Sequence, residues 1–138
     1  MKLPSDRQIL ECIFNRYKGT FAGFDVRKDR ATKVYVPIDC KAIAEELGTE
    51  GDIVFGRLYF HLEEKYGYQQ SGGAKVHFFA LKVGEDAKCV NFPLLASVLA
   101  GLQEDRRRHL LTQAIAIAAF FVSVVSLIVS LWLQRAGS

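Results

Sequence analysis

Hydrophobic residues along this chain follow three rhythms in turn. In the first, Ile9, Leu10, Ile13, Phe14 and Tyr17 recur at helical spacing and make one apolar face. Ser5 or Asp6 can cap that helix, Pro4 suits its start and Gly19 its end, so a first helix is predicted over about residues 4–17. From Thr20 to Thr32 the rhythm is lost. Phe21, Phe24 and Val26 favour burial, whereas the run Arg27, Lys28, Asp29 and Arg30 reads as a solvated turn. Val34, Tyr35 and Val36 predict a short strand stopped by Pro37. Asp39 reads as the N-cap of a second helix over 40–47, with Ile43, Ala44 and Leu47 inward and Gly48 closing it. Thr49, with Asp52 three residues on, reads as a capping box for a third helix reaching about Tyr66. Ile53, Val54, Leu58, Phe60 and Leu62 supply its apolar contacts.

The second rhythm is a loose alternation. Ser71-Gly72-Gly73 is a turn signal between two β-prone runs, and 75–83 predicts a strand with Val76, Phe78 and Ala80 on one face. After a turn at Gly84-Glu85-Asp86, residues 87–92 fit either a third strand or a connection. Asn91 then caps a helix with Pro93 in its first turn, and Leu95, Val98, Leu99 and Leu102 carry a helical stripe to Arg106. Gly101 is its weak point.

The third rhythm is no rhythm at all. Leu110 to Leu133 contains no charged side chain, and as an α-helix these residues extend about 36 Å, longer than the ~30 Å hydrocarbon core of a bilayer. A 138-residue chain has too little protein to bury such a helix on all sides. The N-terminus, MKLPSDRQIL, lacks the apolar core of a signal peptide. The expected organisation is therefore a soluble domain over 1–91, an amphipathic juxtamembrane helix over 92–109, a transmembrane helix over 110–133 and a short tail over 134–138.

Charge sets an expected orientation. Met1 to Asp105 holds all 15 acidic residues and 14 of the 18 Lys and Arg, a formal charge of −1. The remaining cations flank the apolar run: Arg106, Arg107 and Arg108 before it, Arg135 after it. The positive-inside rule then places the N-terminal part in the cytoplasm, with the arginines beside anionic lipid headgroups. Within the run, Thr112, Ala116, Ala119, Ser123, Ser126 and Ser130 form a heptad-like stripe of small side chains. Such a stripe lets two helix backbones approach in lipid, so a homo-oligomer through the span is expected.

The order helix, short strand, helix, tight turn, helix, hairpin resembles a winged helix-turn-helix domain over about residues 5–83. The carriers are CKAIAEELGTEGDIVFGRLYFHLEEKYGY for the helix pair and YQQSGGAKVHFFALKV for the wing. The resemblance implies an α+β fold, and a contact face on the third helix and wing: Arg57, His61, Lys65 and Lys75. Winged helices commonly bind DNA, but nucleic-acid binding needs concentrated positive charge, and this third helix carries Glu50, Asp52, Glu63 and Glu64. The balance favours a protein partner in the cytoplasm over nucleic acid.

Candidate chemistry adds little. The three cysteines, Cys12, Cys40 and Cys89, are odd in number and widely spaced, which reads as reduced, partly buried thiols. Cys40 beside Lys41 at a helix start offers a lowered thiol pKa as the sharper alternative. His61 and Glu64 read as a surface pair. No HExxH, P-loop, GxSxG or dinucleotide fingerprint occurs, and no metal, cofactor or enzymatic activity is expected. The function expected is a single-pass membrane adaptor or regulator that binds a protein. A membrane-tethered DNA-binding regulator and a small membrane-active effector are the alternatives.

Overall fold

Ser5 opens the chain's first helix with a full capping box: its Oγ accepts the Gln8 amide at 3.2 Å, and Gln8 Oε1 accepts the Ser5 amide at 2.8 Å. In a computed structural model, which describes residues 1–137, this helix α1 covers Asp6–Ala22 and runs past its expected end. Nothing lies within 4 Å of a Cβ placed on Gly19, so the helix passes through it. Gly23 ends it instead, its amide bonding the Gly19 carbonyl at 2.9 Å. A single turn follows, α2 (Phe24–Arg27), with Lys28 in the left-handed region at φ 47°.

The segment without rhythm is tied down by Arg30. Its side chain is only 2% exposed. It donates to the Thr20 carbonyl at 3.1 Å and the Lys33 carbonyl at 2.9 Å, and its guanidinium lies 4.8 Å over the Phe24 ring. The expected solvated turn thus holds for Arg27, Lys28 and Asp29, whereas Arg30 is buried as a clamp.

Strand β1 (Tyr35–Pro37) includes Pro37 and does not stop before it. As an edge strand it loses nothing by the missing amide. Helix α3 (Cys40–Leu47) is capped by Asp39 and closed by Gly48 at φ 72°, both as predicted. The next helical rod is α4 (Gly51–Gly56), a π-helical segment (Arg57–Leu62) and α5 (Glu63–Tyr66). Its N-cap is Glu50 without a side-chain bond, so the predicted Thr49 capping box is not formed. Thr49 Oγ1 is buried without a hydrogen-bond partner. Val54, Leu58 and Leu62, four apart, make the rod's buried line. Phe60, expected inward, sits two residues off that line and is 74% exposed.

The single strand expected over 75–83 is two strands. The Ser71–Gly73 turn joins only β2 (Tyr68–Gln69) to β3 (Lys75–Val76). His77 and Phe78 break the run. Strand β4 (Phe79–Val83) pairs with β5 (Asp86–Asn91), so of residues 87–92 all but Phe92 are strand rather than connection. β5 is the centre of a three-stranded antiparallel sheet of order β1-β5-β4, with Val36, Val90 and Phe79 in register. The sheet closes on Ile9, Leu10 and Ile13 of α1, Ile43 of α3 and Leu58 of the rod, all fully buried. Each such side chain stabilises the fold by roughly 1.5–3 kcal/mol.

Helix α6 (Phe92–Ala136) begins where predicted, with Asn91 Oδ1 accepting the Leu94 amide at 3.2 Å. Phe92 stacks on Phe14 and Phe21, and Leu95 and Leu99 are buried. The chain divides into two compact units, the first ending at Gly101 and the second beginning at Leu102. The opening turns of α6 therefore belong to the α+β body, ten residues beyond the expected boundary. Among the described residues α6 is the one helix long and apolar enough to cross a membrane, and none of its most apolar window is buried.

Candidate functional site

The free edge of β4 faces the π-helical segment across a groove of about 760 Å³. Tyr59 and Phe60 stand along its helical wall, 39% and 74% exposed, with their rings edge to face at 4.9 Å. Leu81 and Lys82 project from the strand, also exposed. At one end Glu63 bridges the two walls. Its Oε2 accepts the Phe79 amide at 2.6 Å, and its Oε1 lies 3.1 Å from His77 Nδ1. A carboxylate that caps a strand amide blocks the edge at that residue.

The hydrogen-bond pattern of β4 holds only as far as Leu81. The Asn91 amide bonds the Phe78 carbonyl at 2.9 Å, and Ala80 and Lys82 lie opposite Cys89 and Ala87. In an antiparallel ladder alternate residues turn their backbone groups to one neighbour. Phe78 and Ala80 thus face β5 and Phe79 faces the groove; at Leu81 the ladder is interrupted, with Lys88 opposite it at φ 54°, and Val83 pairs with Asp86 across the two-residue turn. Glu63 takes the Phe79 amide.

The four residues expected on one contact face divide between three places. Arg57 Nη2 pairs with Asp6 Oδ1 at 2.9 Å, and Arg57 Nη1 donates to the Pro4 carbonyl at 3.1 Å. His61 Nε2 lies 3.3 Å from Asp6 Oδ2, so it pairs with α1 rather than with Glu64. Both side chains fasten the rod to the first turn of α1. Lys65 is exposed, its Nζ 5.3 Å from the Tyr66 ring. Lys75 alone of the four lines the groove. Tyr59, Glu63, His77 and Leu81 were not singled out as a site by the sequence reading. The adjacent aromatics Tyr59 and Phe60 carried a signal, because neighbours on a helix cannot both face one core.

The three thiols are free and buried. Burial pushes Cys12 up to about 12, and the hydrogen bond from its Sγ to Glu46 Oε2 at 2.9 Å adds to the rise. Burial likewise takes Cys89 to about 11. Cys40 is also raised, by burial first, with Lys88 opposing, so the lowered pKa considered for it is overturned. Desolvation disfavours the thiolate more than the nearby cation favours it. Among the described residues no group of three or more His, Cys, Asp or Glu side chains is placed to hold a metal ion.

In α6, Arg108 pairs with Glu104 at 3.3 Å, and Arg106 and Arg107 are exposed. The small-residue stripe, Thr112 to Ser130, is exposed throughout. Ser123 Oγ donates to the Ala119 carbonyl of its own helix at 2.9 Å, satisfying its hydroxyl without a second chain. Compared with protein-family models, curated proteins and solved structures, the chain matches none.

Proposed function

We propose that this chain is a single-pass membrane adaptor or regulator. Its α+β body lies in the cytoplasm and binds protein, and its span self-associates. The observation that carries this reading is α6: a 45-residue helix whose apolar stretch has no protein cover, with Arg106–Arg108 just before that stretch and Arg135 after it. Water-soluble proteins do not leave such a surface uncovered. The element order α1, β1, α3, the rod and a hairpin supports the winged-helix resemblance. Protein rather than nucleic acid is the partner class, because Arg57 is spent on Asp6 and Met1 to Asp105 carries a formal charge of −1. The β4 groove supplies exposed aromatic side chains of the kind protein interfaces use.

Protease protection on sealed, cytoplasm-out vesicles tests this reading. A tag at Met1 is expected to be cleaved without detergent, and a tag after the last residue to be protected. Protection of the N-terminal tag contradicts the orientation.

A further inference from the structure

A second cavity, of about 490 Å³, opens between α3, the start of the rod and β5. That is within the size range of small-molecule sites. We infer that it binds a small zwitterion, one molecule carrying an oxyanion and an ammonium. The cavity shares no lining residue with the β4 groove and requires neither the anchor nor a protein partner.

Its lining carries two charges of each sign, Lys41 and Lys88 against Glu50 and Asp52. Gly51 lets the first turns of α3 and α4 pass in contact, since a Cβ on it lies only 3.4 Å from Lys41 Cα. Yet none of these four side chains is in an ion pair. Opposite charges gathered round one cavity without pairing leave their partners to be supplied from outside. An anion alone is repelled by the carboxylates, and a cation alone by the lysines. A zwitterion satisfies both.

Unpaired lysines are ordinary at a surface, but the backbone of Lys88 is not. It sits in the left-handed region at φ 54°, inside the central strand, where the β4–β5 ladder is interrupted. That conformation is costly for a residue with a Cβ and free for glycine. The Lys88 carbonyl accepts the Ile38 amide at 3.0 Å, which fixes the kink from the β1 side. The side chain then reaches the cavity wall, its Nζ 5.4 Å from the centre of the Phe55 ring. Phe55 is held in turn by stacking on Tyr59 at 5.5 Å and by the edge of Phe79 at 5.8 Å. A strained backbone that carries a positioned ammonium to a cavity wall is the mark of a binding residue.

Thermal unfolding of the full chain in micelles of an uncharged detergent tests the site, with O-phosphoethanolamine as the probe. Millimolar probe is expected to raise the midpoint by about 5 °C, the shift from a ligand at about tenfold its Kd. Inorganic phosphate mixed with ethanolamine at the same concentrations is expected to give none. Lys88→Gly is expected to unfold no lower than the wild type and to lose the shift. Glu50→Gln with Asp52→Asn is expected to change the preference, so that phosphate alone raises the midpoint as much as the probe does. No shift in the wild type, an equal shift from the mixture, an undiminished shift in Lys88→Gly, or a Lys88→Gly chain that unfolds well below the wild type each overturns the inference. Phosphatidylglycerol nanodiscs with and without phosphatidylethanolamine distinguish the source of the ligand. A wild-type midpoint raised by phosphatidylethanolamine, with Lys88→Gly unmoved, assigns the site to a lipid headgroup. A shift from the soluble probe alone assigns it to a free solute.

Discussion

Asp6 shows how far a residue's role lies from its neighbours in sequence. Arg57 and His61 fall on the polar side of their helix, where a contact face is a fair expectation. Their partner is a carboxylate about fifty positions upstream, and no local pattern announces it. Asp6→Asn removes the charge that Arg57 faces while keeping the volume. The expected loss is about 1–2 kcal/mol, read as a lower urea midpoint at unchanged slope. An unchanged midpoint means the pair contributes nothing to stability. Burial of the cysteines was legible from their odd number and wide spacing, which read as reduced, partly buried thiols. The Cys12–Glu46 bond was not, because it joins two helices. Cys12 and Cys89 hold their protons more tightly in the folded state than at the ordinary value of 9.0. Their contribution is complete below pH 9 and is lost as pH rises toward about 12 for Cys12 and about 11 for Cys89. Urea midpoints are therefore expected to fall above pH 9, and Cys12→Ala to flatten that fall. A pH-independent midpoint up to 11 contradicts it.

At the scale of elements, caps and turns were legible where side chain and backbone agreed. Ser5, Asp39, Gly48 and Asn91 each do what their chemistry predicts. Gly48 sits at φ 72°, where a Cβ is strained. Gly48→Ala is expected to cost roughly 1 kcal/mol by thermal or urea unfolding, and a neutral result contradicts a left-handed cap there. The misread elements have a common cause. Gly19 looks like a stop but lies in open space, and the capping amide that ends α1 comes from Gly23, donating to the Gly19 carbonyl. Residues 75–83 look like one strand because alternation continues through His77 and Phe78. The break is imposed by Glu63, which holds both sides of it, and by burial of Phe78 and Phe79 in succession. The groove follows from that break, which is why the sequence did not reveal it. Helix propensity could not foretell the π-helical segment that presents Tyr59 and Phe60 together.

For the whole molecule, the sequence was most informative where it was least patterned. Twenty-four residues without charge need no periodicity to be read, and the α6 helix contains them all. The boundary before them was less legible. Leu95 and Leu99 belong to the body's core, and their stripe continues unaltered to Leu102, so nothing local marks the change at Gly101. Anchor and orientation both depend on the lipid exposure of that apolar stretch. Alkaline carbonate extraction of membranes from cells expressing the full chain is its most direct measurement. The chain is expected to remain in the pellet, and to move to the supernatant when Ile117, Phe121, Val124 and Ile128 are all changed to Lys, since each central charge opposes insertion by about 2.5–3.5 kcal/mol. Release of the unaltered chain as a folded, monodisperse protein contradicts the anchor and the orientation argued from it.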